Sequence, residues 1–425
     1  MAADVQKTIE AVWRIESPRL IAALARRTRD VGTAEDLAQE ALLAALEQWP
    51  DDGIPENPGA WLMAAAKRRA VDHYRRQALH VRKQEQIARE KNALLDTPDM
   101  DSALDDNFGD DMLRLIFTSC HPVLSFEAQA ALALRLLVGL TTGEIARAFL
   151  VPEATIAQRI VRAKKTLADS RVPYEVPRGD ELRERLAAVL QVIYLIFNEG
   201  YAATAGDDWM RPALCEDALR LGRMLEELLP DEPEVHGLAA LMEIQASRTA
   251  ARIDATGAPI LLLDQNRTLW NSLFLHRGLA ALERARQSPA TPGPYELQAQ
   301  IAACHARALS ADQTDWQRIA DHYVQLAAIS PSPIVSLNLA VAVSFAHGPA
   351  AALPLVEHLE QNGALANYHL LPSVHGDLLF KLGRCLEARG QFERAAALAE
   401  NRRERELLLR RALACGRSLP SADSS

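Results

Sequence analysis

The chain has 425 residues, of which 49% are hydrophobic, 24% charged and only 5% aromatic, and its formal net charge is −9. This length exceeds that of one typical domain, so we expect two or three separate cores. Abundant Ala and Leu with few aromatic residues favour helices and argue against a mainly β fold. The sequence therefore predicts a soluble, all-α protein with several domains.

The sequence contains no pattern typical of export or of a membrane span. The first residues, "MAADVQKTIEAVWRIE", mix charges with apolar positions and lack a hydrophobic signal core. The longest stretch without charged residues is broken by prolines, and its helical part, residues 334–346, is shorter than a membrane helix. Five widely spaced cysteines without a C-x-x-C pair predict reduced thiols rather than disulfides or a zinc site. We expect a cytoplasmic protein.

Charge divides the chain into segments. Residues 1–83 carry 13 basic and 12 acidic side chains, residues 84–111 carry 2 and 9, and residues 112–171 carry 8 and 4. The middle segment has little apolar periodicity and predicts a flexible acidic linker between two helical domains. Residues 180–425 form a further, acidic region, which we assign to a separate helical extension.

The first strongly periodic segment is "TAEDLAQEALLAALEQW", residues 33–49. Thr33 is the predicted N-cap, with Asp36 at the third helical position as in a capping box. The predicted core face comprises Leu37, Ala41, Ala44 and Ala45. The predicted outer face comprises Glu35, Asp36, Gln39 and Glu40. Such an acidic face is usually solvated, and partner binding is the alternative.

A basic helix follows in "NPGAWLMAAAKRRAVDHYRRQ", residues 57–77. Trp61 and Leu62 start it, and His73 and Tyr74 lie among its basic side chains. Basic residues interleaved with aromatic ones suit contact with phosphates and stacking on unpaired bases, as in proteins that bind single-stranded nucleic acid. A solvated basic face is the alternative.

The stretch "LTTGEIARAFLVPEATIAQRIVRAKKTL", residues 140–167, predicts a helix-turn-helix. Thr141 or Thr142 caps a first helix through Leu150, and Pro152 breaks it. The second helix buries Ile156, Ile160 and Ala163. It turns outward Thr155, Gln158, Arg159, Arg162 and Lys165. A polar, cationic second helix is typical of insertion into the DNA major groove.

Together these three motifs resemble those of the extracytoplasmic-function (ECF) group of bacterial RNA polymerase sigma factors. The acidic helix is similar to the family's core-polymerase-binding helix, the basic helix to its promoter-melting helix, and the helix-turn-helix to its promoter-recognition element. The resemblance covers residues 8–170. It implies binding to core RNA polymerase, at the β′ clamp and the β flap, and to promoter DNA, with no cofactor or metal and no enzymatic activity.

The resemblance also implies which residues make these contacts. Polymerase binding is assigned to Asp36, Gln39 and Glu40. Contact with the minus-ten promoter element is assigned to Trp61, Lys67, Arg68, Arg69, Asp72, Tyr74, Arg75 and Arg76. Contact with the minus-thirty-five element is assigned to Thr155, Gln158, Arg159, Arg162 and Lys165.

The remaining residues resemble the subgroup of these factors that carries a C-terminal tetratricopeptide-like extension. In "LGRCLEARGQFERAAALAE", the small and aromatic packing positions of such a repeat fall on Leu382, Gly383, Gly390, Phe392 and Ala395. We expect the extension to have a regulatory role, to pack against the promoter-recognition domain and to bind a protein or peptide on its concave surface.

One alternative function stays open. The protein could be a DNA-binding regulator with a repeat scaffold that does not bind core polymerase. Such a regulator needs neither the acidic face at Asp36 and Glu40 nor the basic aromatic helix, so we favour the sigma factor. An enzyme is not expected, because the common nucleotide-binding, zinc-protease and hydrolase motifs are absent from the sequence.

Overall fold

The computed structural model describes residues 2–87, 108–149, 151–201, 210–254, 259–363 and 365–417. Within these ranges all regular secondary structure is helical, apart from one isolated β-bridge between Ile253 and Pro259, which confirms the all-α prediction. The chain divides into two compact units, Met1–Ile193 and Tyr194–Ser425. None of the described helices combines the length and the apolar character needed to cross a bilayer.

The first unit contains the three motifs recognised in the sequence. Its helices are α1 (Ala2–Thr28), α2 (Val31–Asp52), α3 (Pro58–Ile87), α4 (Phe108–Ser119), α5 (Phe126–Ala133), α6 (Thr142–Phe149), α7 (Glu153–Asp169) and α8 (Asp180–Tyr201), the last of which continues into the second unit. A π-helical turn, Leu134–Val138, follows α5 directly. Residues 88–107, most of the predicted acidic linker, lie outside the described residues.

Helix α2 begins earlier than the sequence predicts. Its N-cap is Asp30, whose Oδ2 accepts hydrogen bonds from the backbone N of Thr33 at 2.7 Å and from Thr33 Oγ1 at 2.6 Å. The assignment of Thr33 as the cap is therefore wrong. Both residue types are good caps, and the one whose carboxylate satisfies the free amide groups of the first turn determines where the helix starts.

The predicted core face of α2 is confirmed. Leu37, Ala41, Ala44 and Ala45 are all buried. Trp49 near the end of α2 is also buried, and its ring meets that of Trp61 on α3 edge-on, with 5.3 Å between the ring centroids. This aromatic pair fixes the basic helix against α2.

The helix-turn-helix forms as predicted. Glu144 Oε2 accepts from the backbone N of Thr141 at 2.7 Å, while the Glu144 N donates to Thr141 Oγ1 at 3.2 Å, which is a capping box at the start of α6. The second helix, α7, starts after Pro152. Its predicted core residues, Ile156, Ile160 and Ala163, are buried.

The second unit is a series of helices in which neighbours in the chain pack together. They are α9 (Pro212–Leu228), α10 (Pro233–Ala246), α11 (Ser272–Arg286), α12 (Pro294–Arg307), α13 (Trp316–Ile329), α14 (Pro333–His347), α15 (Pro349–Gln361), α16 (Leu370–Lys381), α17 (Cys385–Leu398) and α18 (Arg402–Arg417). The buried helix predicted over residues 334–346 corresponds to α14.

The segment that resembles a tetratricopeptide repeat packs only in part as the sequence predicts. Phe392 and Ala395 on α17 are buried with residues of α16 and α18. Leu382, in contrast, is partly exposed, and a Cβ at Gly390 would meet no atom within 4 Å. Gly390 is therefore not a packing position, and the small residue there leaves space open beside α17.

Candidate functional site

The acidic residues assigned to polymerase binding lie at the surface of α2. Asp36 and Glu40 are exposed, and Gln39 is half-buried where its Nε2 donates to Glu35 Oε1 at 2.6 Å. Glu40 Oε2 also lies 3.3 Å from Nη1 of Arg69 on α3, a solvent-exposed ion pair of the kind that contributes little to stability. Asp36 and Glu40 are therefore accessible to a partner.

Glu35 does not share this exposed face, contrary to the assignment made from the sequence. Its side chain is 2% exposed. Glu35 Oε1 accepts from Nε of Arg135 at 2.7 Å, and Glu35 Oε2 lies 2.6 Å from Nζ of Lys164 on α7. We call these three residues the Glu35 cluster. Helical periodicity failed here because it considers α2 alone, whereas this side of α2 is covered by the helix-turn-helix domain.

The electrostatics of the Glu35 cluster favour the ionised carboxylate. Burial alone would raise the pKa of Glu35, but the nearby charges of Lys164 and Arg135 and their hydrogen bonds outweigh it and hold that pKa below its usual value. Two cations facing one buried carboxylate leave its charge fully compensated. The cluster therefore joins the two domains as long as Glu35 stays ionised.

Further contacts join α1 to α4 and to the segment after α7. Arg26 Nη1 on α1 lies 3.3 Å from Oδ2 of Asp111 on α4. The hydroxyl of Tyr174 lies within hydrogen-bond distance of two carbonyl oxygens, those of Ala22 at 3.1 Å and Asp111 at 3.2 Å. We call this whole contact, α1 and α2 against α4, the π-helical turn and α7, the junction. It holds the bundle of α1–α3 and the helix-turn-helix domain together.

The basic helix α3 borders a cleft of about 220 Å³. The cleft is lined by Ala44, Gln48, Trp61, Ala64, Ala65, Arg68 and Arg69. Of the residues assigned to the minus-ten element, those that are exposed are Arg68, Asp72 and Arg75, and those that are half-buried are Trp61, Lys67 and Arg69. The side chains of Tyr74 and Arg76 lie outside the described residues. Trp61 and two guanidinium groups thus meet at one accessible cleft.

The outer face of α7 is polar and cationic. Thr155, Gln158, Arg162 and Lys165 are exposed, and Arg159 is half-buried. Lys164, although adjacent to Lys165, turns inward to Glu35. Two neighbouring lysines of the same helix therefore have different surroundings, one inside the junction and one in solvent.

The second unit also contains a cleft, of about 370 Å³, beside α15, α16 and α17. Its lining comprises Glu357, His375, Leu379, Arg384, Glu387, Gly390, Gln391 and Arg394. Arg384 pairs with Glu387 at 2.6 Å, and Arg394 pairs with Glu360 at 2.9 Å, so its arginines are neutralised. Across the ranges that the structure describes, no group of three or more His, Cys, Asp or Glu side chains could hold a metal ion.

Three family models match the chain. Residues 13–79 match sigma-70 region 2, and residues 114–167 match sigma-70 region 4. Residues 185–286 match a family of unknown function, DUF6596. The first two matches correspond to α1–α3 and to the helix-turn-helix domain, and they support the assignment of the protein as a sigma factor.

Similar proteins extend these matches. The uncharacterized protein R00370 of Rhizobium meliloti (strain 1021) is 45% identical over 392 residues, which cover 91% of each chain. The ECF RNA polymerase sigma factor SigC of Mycobacterium tuberculosis (strain CDC 1551 / Oshkosh) is 28% identical over 169 residues, 39% of this chain and 80% of that protein. The probable RNA polymerase sigma-C factor of Mycobacterium bovis (strain ATCC BAA-935 / AF2122/97) matches to the same extent. The chain thus belongs to the family of R00370, and in it sigma-70 regions 2 and 4 precede a helical DUF6596 region.

Proposed function

We propose that this protein is an ECF-type sigma factor, which binds core RNA polymerase and directs transcription initiation at specific promoters. The observation that carries the proposal is the occurrence of sigma-70 regions 2 and 4 in one chain, each with an exposed charged face. These faces are acidic at Asp36 and Glu40 on α2 and basic at Arg162 and Lys165 on α7. A protein with this role acts in the cytoplasm, where bacterial RNA polymerase works.

Docking on the polymerase is assigned to the exposed acidic face of α2. Reversing both charges, D36K with E40K, places like charges across the interface with the β′ clamp, which costs several kcal/mol in such interfaces. We expect the double variant to lose retention by immobilised core RNA polymerase while its helical content, measured by circular dichroism, stays that of the wild type.

A matched control lies outside α2. Glu10 on α1 and Glu56 in the loop after α2 are exposed, so E10K with E56K makes the same change in net charge. This control should bind like the wild type. Equal retention of D36K/E40K and wild type would refute the docking face. If core polymerase does not retain the wild type either, the result would instead favour the alternative function, a DNA-binding regulator that does not bind core polymerase.

Promoter contact is assigned to α3 and α7. The cleft beside Trp61, with Arg68 and Arg69 at its edge, suits an unstacked base and its phosphate. On α7, replacing Arg162 with Ala costs about 1 to 3 kcal/mol if it contacts a base edge, and it relaxes the preference at that base pair. If R162A leaves sequence-specific DNA binding unchanged, Arg162 does not contact a base.

The junction must open for both promoter elements to be bound at once. Elements centred near positions −10 and −35 lie about 25 base pairs apart, roughly 85 Å along the DNA axis. A compact unit of the size of Met1–Ile193 measures only about 40 Å across. We therefore assign to the junction a closed state of the free protein, in which Lys164 of the recognition helix is held by Glu35.

A regulatory role for the helical region after Ile193 completes the proposal. Helix α8 begins in the first unit and ends in this region, so the region is part of every copy of the sigma domains. Deleting the region after Ile193 tests its regulatory role, but the truncated chain must keep all residues that pack in the first unit. Arg185 is buried there, and its Nη2 donates to the Phe117 carbonyl at 3.0 Å. Promoter-specific transcription by residues 1–193 that equals the full chain would argue against regulation.

A further inference from the structure

A group of cationic and aromatic side chains in the second unit forms no ion pair with any residue that the structure describes; the exposed carboxylate of Asp312 interacts with Arg267 only at longer range. Arg248 directly follows α10, and Arg267 and Trp270 lie just before α11. The guanidinium carbon of Arg248 lies 5.8 Å from the ring centroid of Tyr201 and 5.9 Å from that of Trp270, and the guanidinium carbon of Arg267 lies 4.9 Å from the Trp270 centroid. We call Arg248, Arg267 and Trp270 the arginine–tryptophan cluster.

Neither guanidinium group is in an ion pair with a carboxylate that the structure describes. The Arg248 guanidinium makes no hydrogen bond to a described residue either, and it lies against the rings of Tyr201 and Trp270. Arg267 is held by backbone alone: its Nη1 donates to the carbonyls of His305 and of Ala308, the latter at 2.8 Å. Two arginines therefore pack on one indole ring without an ion pair to a described carboxylate.

Several buried donor atoms of the cluster also lack acceptors. Among the described residues, Arg248 Nε, Arg267 Nη2 and Trp270 Nε1 have no hydrogen-bond partner although each is buried. Indole and guanidinium groups are hydrogen-bond donors only, so each of these N–H groups can form a hydrogen bond only with an acceptor atom. Native proteins seldom leave buried donors unpaired, and a bound ion or ligand is a usual reason when they do.

The positive charges of Arg248 and Arg267 also affect the buried imidazole of His305. Burial first, and then Arg248 and Arg267, lower the pKa of His305 to about 4. Its Nδ1 is likewise buried without a hydrogen-bond partner among the described residues. The imidazole is therefore neutral near pH 7, and an anion placed beside the two arginines would raise its pKa.

We propose that the arginine–tryptophan cluster is a binding site for an oxyanion, the phosphate or carboxylate group of a small ligand. The planar guanidinium offers two parallel N–H donors that match the oxygens of either group. Trp270 Nε1 adds a second kind of donor, the indole N–H, and the ring faces of Tyr201 and Trp270 reduce competition from water. Arg248 is only half-buried, so a ligand can reach it from solvent.

Calorimetric titration of the purified full-length chain tests the site. The titrants are sodium phosphate and sodium succinate, with sodium chloride at equal ionic strength as the reference. We expect saturable binding of at least one oxyanion beyond the chloride reference. R248M, which removes a guanidinium that makes no hydrogen bond or ion pair with a described residue, should weaken that binding by about tenfold or more.

Control variants separate this site from other basic surfaces. R286M removes an exposed arginine of the same region, which pairs with Glu283 at 3.4 Å, and should bind like the wild type. R248K keeps the charge but loses the paired donors, so its affinity should fall between those of wild type and R248M. Binding of the successful anion should also raise the pKa of His305, followed by NMR.

The outcomes are distinct. Preference for phosphate identifies a phosphorylated ligand, and preference for succinate identifies a carboxylate ligand. Binding of neither anion, or equal binding by wild type and R248M, would overturn the proposal. Because the titration contains no polymerase or DNA, its result is independent of the sigma-factor assignment.

Discussion

The Glu35 cluster and the arginine–tryptophan cluster both hold charges that are at least partly removed from water, but only in the first do ion pairs within the described chain compensate them. Glu35 is 2% exposed and has cations at 2.6 and 2.7 Å. Arg248 and Arg267 form no ion pair in the part of the chain that the structure describes. A paired buried charge explains how two domains hold together, whereas an unpaired one indicates an acceptor that the chain does not supply.

Removing the carboxylate of Glu35 should have the largest effect. E35A leaves Arg135 and Lys164 without their shared anion, and breaking a buried ion pair in this way costs about 3 to 5 kcal/mol. We expect faster hydrogen–deuterium exchange across α2 and α7 in the variant. D36A, which removes an exposed carboxylate from the adjacent position, is the control and should leave exchange unchanged. Equal exchange in both variants would show that Glu35 does not hold the junction.

The two neighbouring lysines of α7 should differ in their effects on stability and on DNA binding. K164M removes one of the two cations on Glu35 and should destabilise the junction by about 1 to 2 kcal/mol. K165M removes an exposed charge, so its effect on stability should stay within about 0.5 kcal/mol. DNA affinity should respond in the opposite order, with K165M causing the greater loss. If both variants behave alike in unfolding and in DNA binding, the division of α7 into two faces is wrong.

Acid should weaken the junction through Glu35. Because the folded state holds the pKa of Glu35 below its ordinary value of 4.5, its ionisation contributes stability that is fully present above about pH 4.5 and is lost as the pH falls through the lower, folded value. E35Q removes this contribution. The difference in unfolding free energy between wild type and E35Q should therefore shrink as the pH falls below about 4.5. A difference that does not change with pH would assign the stabilisation to packing instead.

The smallest effect is expected at the unpaired cluster, with the opposite sign. Without ligand, R248M removes a charge that repels Arg267 and has no partner of its own, so stability should stay unchanged or rise by up to about 1 kcal/mol. Thermal unfolding in chloride buffer checks this, with R286M as the control. A clear loss of stability in R248M alone would mean that Arg248 already has a counter-charge within the chain.

The fold was predictable where local pattern determines it. The four-and-three spacing of Ile156, Ile160 and Ala163 indicates the buried side of α7, and the structure buries all three. The same reasoning wrongly predicted that Glu35 is exposed. Its partner Arg135 lies 100 residues away in the sequence, so the pattern of α2 could not reveal the contact. No periodicity within α2 contains that information.

The arginine–tryptophan cluster was missed for a related reason. Arg248 and Arg267 belong to no recognised motif, and they meet only because the chain folds back before α11, where the backbone N of Asn271 donates to the Ser247 carbonyl at 2.8 Å. A usable signal was present: arginines at 248, 252 and 267 lie close to Trp270 in a region that is otherwise acidic. Composition alone does not show that two of them lack carboxylate partners.

The closed junction is the central claim, and a distance across it is its most direct test. Spin labels on unnatural amino acids at exposed positions Glu10 on α1 and Ala168 on α7 avoid the five native cysteines. Pulsed electron paramagnetic resonance on the free protein should give one distance shorter than about 40 Å. In a transcribing complex with core RNA polymerase and promoter DNA, this distance should lengthen by about 20 Å or more, since the two elements lie far apart on the DNA. An unchanged distance in an active complex would contradict the account.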